Sequence, residues 1–244
     1  MSRNSTAYLI FFAAMVTLVA GVTLAITATY LKPAQDKNVA LEKKKFILSA
    51  INFKPAEDTD SAYEEAYAKY ITGIVVDNNG QVVEGEDAFT INPVEQNTIL
   101  AENPSAQAKF PLYQYKGEDG TTAYIIPVNG KGLWGPIWGY IAVDEKYESV
   151  LGAQFDHKGE TPGLGAEIGG DVFRDNFINK KIYDEDQELV AVTVLKGTGN
   201  KVDEHSVDGI SGATITANGV SEMLFRDLKK YEPYFIKLNK NKGE

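Results

Sequence analysis

An α+β body behind a single N-terminal transmembrane helix is the architecture this sequence predicts, on three observations. Residues 7–31 read AYLIFFAAMVTLVAGVTLAITATYL, with no charged side chain. Beyond them, short apolar runs come in pairs separated by turn residues, which is the mark of β-hairpins. Helical patterns flank those pairs instead of alternating with single strands, which argues against βαβ units and for mixed hairpins with flanking helices.

The apolar stretch comes first. A bilayer core about 30 Å thick needs roughly 20 apolar helical residues, so this run can span it. A cleaved signal peptide has an apolar core of only about 7–15 residues, and the N-flank here carries only Arg3. A buried core helix would show a polar face. The reading is a retained anchor. Residues 1–31 form a short tail and transmembrane helix, residues 32–70 a helical stalk and the start of the body, and residues 71–244 one domain. Arg3 stands on one side of the span, with Lys32, Lys37, Lys43, Lys44 and Lys45 on the other. By the positive-inside rule this leans toward a cytoplasmic body, although Asp36 and Glu42 are interspersed and long domains translocate largely regardless of charge.

Residues 36–51 and 61–70 read as helices; Tyr63, Ala66, Tyr67 and Tyr70 fall at three- and four-residue intervals. Residues 73–76 and 81–84 around Asp77-Asn78-Asn79-Gly80 predict one hairpin, and residues 110–115 and 121–128 around a turn at 116–120 predict a second. Further strands are expected at 137–143, 150–155 and 189–194, with a helix at 171–179. The chain closes on a helix from residue 217 to about residue 238, with Val220, Met223, Leu224, Leu228 and Tyr231 along one face.

Composition narrows the chemistry. Among 244 residues there is no cysteine, and the histidines are His157 and His205 alone. Disulfides, thiolate metal sites, cysteine-held clusters and cysteine nucleophiles are therefore excluded. Redox work would need an organic cofactor or a carboxylate-held metal. After residue 31 there are 23 basic against 34 acidic residues, a balance of −11, which argues against a nucleic-acid partner. No catalytic residue and no metal ligand set can be assigned.

Three glycine-rich segments could carry function. Asn129 to Gly139 (NGKGLWGPIWG) holds both tryptophans. It reads equally as a tight loop whose tryptophans plug the core, or as a wall for a flat aromatic ligand. His157 to Gly165 (HKGETPGLG) is either an ordinary exposed loop or a set of backbone amides for an anion or ring carbonyl, with Glu160 and Thr161 as polar contacts. Asp208 to Thr216 (DGISGATIT) precedes the last helix. Thr216 suits an N-cap, and a Ser-Gly-Ala-Thr loop entering a helix also suits a phosphate. No lysine follows its glycine, so it is not a P-loop.

The run Asp208-x-x-Ser211-Gly212-Ala213-Thr214 resembles the flavinylation sequence of the FMN-binding domain family. The resemblance implies that a flavin transferase attaches FMN, through its phosphate, to the hydroxyl of Thr214. Glu160, Thr161, Pro162, Gly163, Leu164 and Gly165 are similar to the family's flavin-contacting loop, and Gly132, Leu133, Trp134 and Gly135 to its other wall, with Thr216 beside the acceptor. Residues 71–244 are then an FMN-binding domain, and the flavin lies between the Trp134 and Leu164 loops.

The same resemblance implies an electron carrier inside a membrane complex of a sodium-pumping NADH:quinone oxidoreductase, with the other subunits and the membrane as partners. The homologous Rnf electron-transport subunit is the alternative, and the long N-terminal half favours the sodium-pumping type. An anchored binding or assembly protein without flavin is a third reading. The family places the flavin domain on the outer, periplasmic side of a bacterial cytoplasmic membrane, against the lysine count. With no acid, lysine, arginine or histidine within residues 7–31, a sodium path would belong to partner subunits.

Overall fold

The computed structural model describes residues 5–242 and divides the chain into two compact units, Met1–Lys43 and Lys44–Glu244. Arg3 lies outside the described residues. The first helix, α1 (Thr6–Ser49), supplies most of the first unit and the opening turns of the second. The sequence predicts an anchor and a separate helix at 36–51, but the two are continuous, with Pro33 inside the helix. An interior proline costs about 3 kcal/mol; the good helix formers around it, in QDKNVALEKKK, keep the helix going. Thr17, Thr23 and Thr29 donate their hydroxyls to the carbonyls of Ala13, Val19 and Ala25 at 2.8–2.9 Å, so these polar groups are satisfied within the helix itself.

The second unit is built on a five-stranded antiparallel meander in the order of the sequence: β1 (Ile71–Asp77), β2 (Lys109–Lys116), β3 (Thr122–Lys131), β4 (Pro136–Asp144) and β5 (Val150–His157). Side chains alternate across it. Phe110, Leu112, Tyr124, Ile126 and Val128 join one apolar cluster. Tyr113 and Ile125 join another, with Ile47 and Leu48 from the end of α1 and Ala66 of α2 (Asp60–Tyr70). Both faces of the sheet are covered, so β3 and β4 read as continuous apolar runs.

The other face is covered by α5 (Thr214–Lys229), which follows α3 (Pro93–Glu102) and the short α4 (Asp171–Arg174) in the chain. A two-stranded parallel ladder, β6 (Thr193–Val194) with β7 (Ser206–Val207), sits just before α5 in sequence.

Several expected elements differ. Residues 81–84 make only a single bridge, Val76 to Val82, rather than a strand. The strand expected over 189–194 shrinks to β6. The helix expected over 171–179 is α4 followed by a 3₁₀ turn at Asp175–Phe177. The terminal helix is two helices, α5 and α6 (Glu232–Lys242). The break follows from Tyr231, whose ring is buried and whose hydroxyl donates to the carbonyl of Pro111 at 2.8 Å, and from Pro233, which suits a first helical turn and not an interior. α3 is an element the periodicity does not predict, yet its signal is present: the Asn92 side chain accepts the amide of Val94, and Pro93 opens the helix.

Candidate cofactor site

The three glycine-rich segments meet at one carboxylate. Glu160 is 5% exposed. Its Oε1 accepts the amide of Trp134 at 2.7 Å and its Oε2 accepts the Thr216 hydroxyl at 2.6 Å. Its own amide donates to Nδ1 of His157 at 3.1 Å. One side chain thus ties the β3–β4 loop, the segment after β5 and the first turn of α5. Burial opposes its ionisation, but the Thr216 hydroxyl, the amides of Trp134 and Leu133, and the nearby His157 outweigh it and hold the carboxyl below its usual range.

Two glycines make this junction possible. A Cβ on Gly165 would stand 2.3 Å from Glu160 Oε2 and 2.7 Å from the Thr216 hydroxyl. Gly212 has φ +77, open to glycine and strained for other residues, and Leu164 packs where its side chain would be, 2.8 Å from a Cβ.

The β3–β4 loop is a tight turn closed by the Gly132 amide on the Gly135 carbonyl at 2.8 Å. Its tryptophans do not plug the core: Trp134 is 68% exposed and Trp138 half-buried. Leu133 is exposed beside it. In the next segment, the amides of Leu164 and Ala166 both donate to the Thr161 carbonyl. This turn leaves Thr161, Pro162 and Gly163 at the surface and Leu164 outward over Gly212. An open cleft of ≈ 680 Å³ beside it is lined by Gly163, Val172, Asp208, Ile210 and Ser211 among others.

α5 begins earlier than the sequence predicts. Thr214 is its first residue, Ala213 is the N-cap, and no side chain caps the turn. Thr216 is therefore not the N-cap; it lies in the first turn, 1% exposed, with its hydroxyl given to Glu160. Thr214 is half-buried, with no hydrogen bond to its hydroxyl among the described residues. The first helical bond runs from the Ala217 amide to the Ala213 carbonyl. The amides of Thr214, Ile215 and Thr216 thus precede the ladder at the positive end of a 16-residue helix, where an anion is stabilised. The donor set fits an FMN: a phosphate at free helix amides beside an accessible hydroxyl, and apolar surface from Trp134, Leu133, Leu164 and Ile215 for a flat ring.

Asp208 has a different task from its neighbours in the motif. Its carboxylate accepts the amides of Gly199 and Asn200 and the Asn200 side chain at 2.8–2.9 Å, which lowers its pKa and folds residues 197–200 against it. Ser211 is exposed.

Sequence reasoning missed Asp227. It lies 2% exposed on the apolar face of α5, accepts the Asn129 amide at 2.9 Å, and pairs with Arg226 at 2.8 Å and Lys230 at 2.5 Å. Burial lowers the Lys230 pKa although Asp227 acts against it. The network anchors the end of β3, from which the Trp134 loop springs. Its signal was legible: an acid three residues after Leu224 in an otherwise apolar stripe.

The chain is similar to known proteins in sequence and fold. The FMN-binding domain family matches residues 132–229. NqrC of the Na(+)-translocating NADH-quinone reductase from Haemophilus ducreyi is 34% identical over 243 residues, covering 94% of this chain and 93% of the relative. The crystal structure of the same protein from Parabacteroides distasonis superposes with a TM-score of 0.73 at 38% identity, covering 84% of this chain and 96% of that one. Shewanella oneidensis NqrC superposes with a TM-score of 0.69 over 82% of this chain and 98% of that one; at 22% identity it shows the shared fold alone.

Proposed function

The chain belongs to the NqrC family of Na(+)-translocating NADH-quinone reductase subunits, and from that premise we propose that it is a membrane-anchored electron carrier with FMN bound covalently through Thr214. The observation that carries the reading is the contrast between two threonines. The Thr216 hydroxyl is buried and bonded to Glu160, whereas the Thr214 hydroxyl is accessible at uncapped helix amides.

A threonine hydroxyl is a weak nucleophile at its ordinary pKa and needs an activating base, which a flavin transferase supplies. Thr214 Oγ1 bonds to the phosphorus of an activated flavin nucleotide, the bond from that phosphorus to its leaving group breaks, and the hydroxyl proton passes to the transferase. The amides of the first turn of α5 then hold the remaining phosphate charge. Trp134, Leu133, Leu164 and Ile215 are the exposed apolar side chains that would shield the ring, and Glu160 keeps the loops in register. Bound FMN supplies the capacity to take up and hand on one or two electrons. Turnover belongs to the whole complex.

Residues 7–31 of α1 are the anchor: the helix is long and apolar enough to cross a membrane. We place the body on the outer face of the cytoplasmic membrane, as the resemblance of its motifs implies; its length permits this, since long domains translocate despite flanking lysines. Partner subunits supply the electron donor, the acceptor and the ion path.

The test is ultraviolet-excited fluorescence of the denatured protein on a gel after co-expression with a flavin transferase. Fluorescence in the wild type that is lost in Thr214→Ala supports the reading; a dark wild-type band contradicts it.

A further inference from the structure

Glu160 is an anomaly as a structural residue. Buried charges are normally paired with an opposite charge, because removing one from water is costly. Glu160 makes no ion pair with lysine or arginine among the described residues; its carboxylate is held by two amides and one hydroxyl, while its backbone amide donates to the His157 ring nearby.

Folding does not require the charge either. A neutral glutamine in the same place could accept the Trp134 amide through its oxygen and donate to the Thr216 hydroxyl through its nitrogen. The same three segments would be tied without a buried charge. The carboxylate is therefore not the only side chain able to tie the scaffold, although its ionised form adds stability, and it lies where the two walls and the start of α5 come together.

Resting on the FMN reading above, we propose that Glu160 is a tuning residue whose fixed negative charge, held between the flavin walls, keeps the flavin midpoint potential low. Reduction adds electrons to the ring, and a nearby carboxylate in poorly solvated surroundings opposes that added charge. The donors that hold the carboxyl ionised make the effect constant at neutral pH. His157 is the titratable side chain that faces it, from the end of β5.

The experiment uses the full chain co-expressed with a flavin transferase, with potentials read by spectroelectrochemical titration at pH 7. In-gel fluorescence first establishes that flavin is attached. The expected result is a more positive midpoint potential in Glu160→Gln than in the wild type, and a potential near the wild type in Glu160→Asp, which keeps the charge. A fluorescent, folded Glu160→Gln protein with an unchanged potential overturns the proposal and leaves the FMN reading intact. A dark wild-type band overturns the FMN reading itself. Should Glu160→Gln fail to fold or take flavin, Thr216→Val decides. Protonating Glu160 at acidic pH removes its charge and so puts a rise into the potential; losing a donor raises the Glu160 pKa, so that rise must move to higher pH in Thr216→Val, and a rise that stays put overturns the proposal.

Discussion

The Thr216 hydroxyl donates to Glu160 Oε2 at 2.6 Å, across 56 residues of sequence. That bond joins a helix start to a loop that nothing local connects to it. Thr216→Val therefore leaves a buried carboxylate one donor short, at a loss of about 1–3 kcal/mol in thermal or denaturant unfolding. The same variant should keep its covalent flavin, because Thr214 is untouched.

Gly165 lies against that bond. Gly165→Ala would set a Cβ 2.3 Å from Glu160 Oε2, so the carboxylate or the loop must shift. The expected loss is about 1–3 kcal/mol, measured by urea unfolding, together with weaker flavin labelling.

Stability should follow pH through Glu160. Its folded pKa is lowered, so its contribution is fully present above the unfolded value of about 4.3 and fades as pH falls through the lower folded value. Melting curves of wild type and Glu160→Gln should differ by a constant amount well above the unfolded value and converge as pH falls below it. A gap that widens on acidification contradicts this assignment.

Asp227 carries the largest expected stability effect. Asp227→Ala takes the counter-charge from the buried end of Lys230, leaving it the neutral Asn97 side chain, and frees the Asn129 amide, for a loss of about 3–5 kcal/mol. Asp227→Asn, which keeps an acceptor for that amide, should lose less.

The strands of the meander were legible because apolar runs such as residues 123–128 are buried on both faces of the sheet. The C-terminal boundary was not, because the apolar stripe of α5 runs on through Tyr231 while Pro233 starts a new helix. Residues 189–194 are apolar enough for a strand, but β7 offers a partner only to Thr193 and Val194. The site divides the same way. Its three glycine-rich segments announce themselves by composition. Their meeting at Glu160 is a long-range fact, and the N-cap preference of threonine pointed to Thr216, whose hydroxyl instead answers a carboxylate from another loop.

The covalent assignment to Thr214 is tested most directly by peptide mass spectrometry. After co-expression with a flavin transferase, trypsin releases residues 202–226 as one peptide holding both Thr214 and Thr216. Fragmentation should place the FMN mass on Thr214 alone. FMN on Thr216, or an unmodified peptide from protein that is otherwise folded, would contradict it.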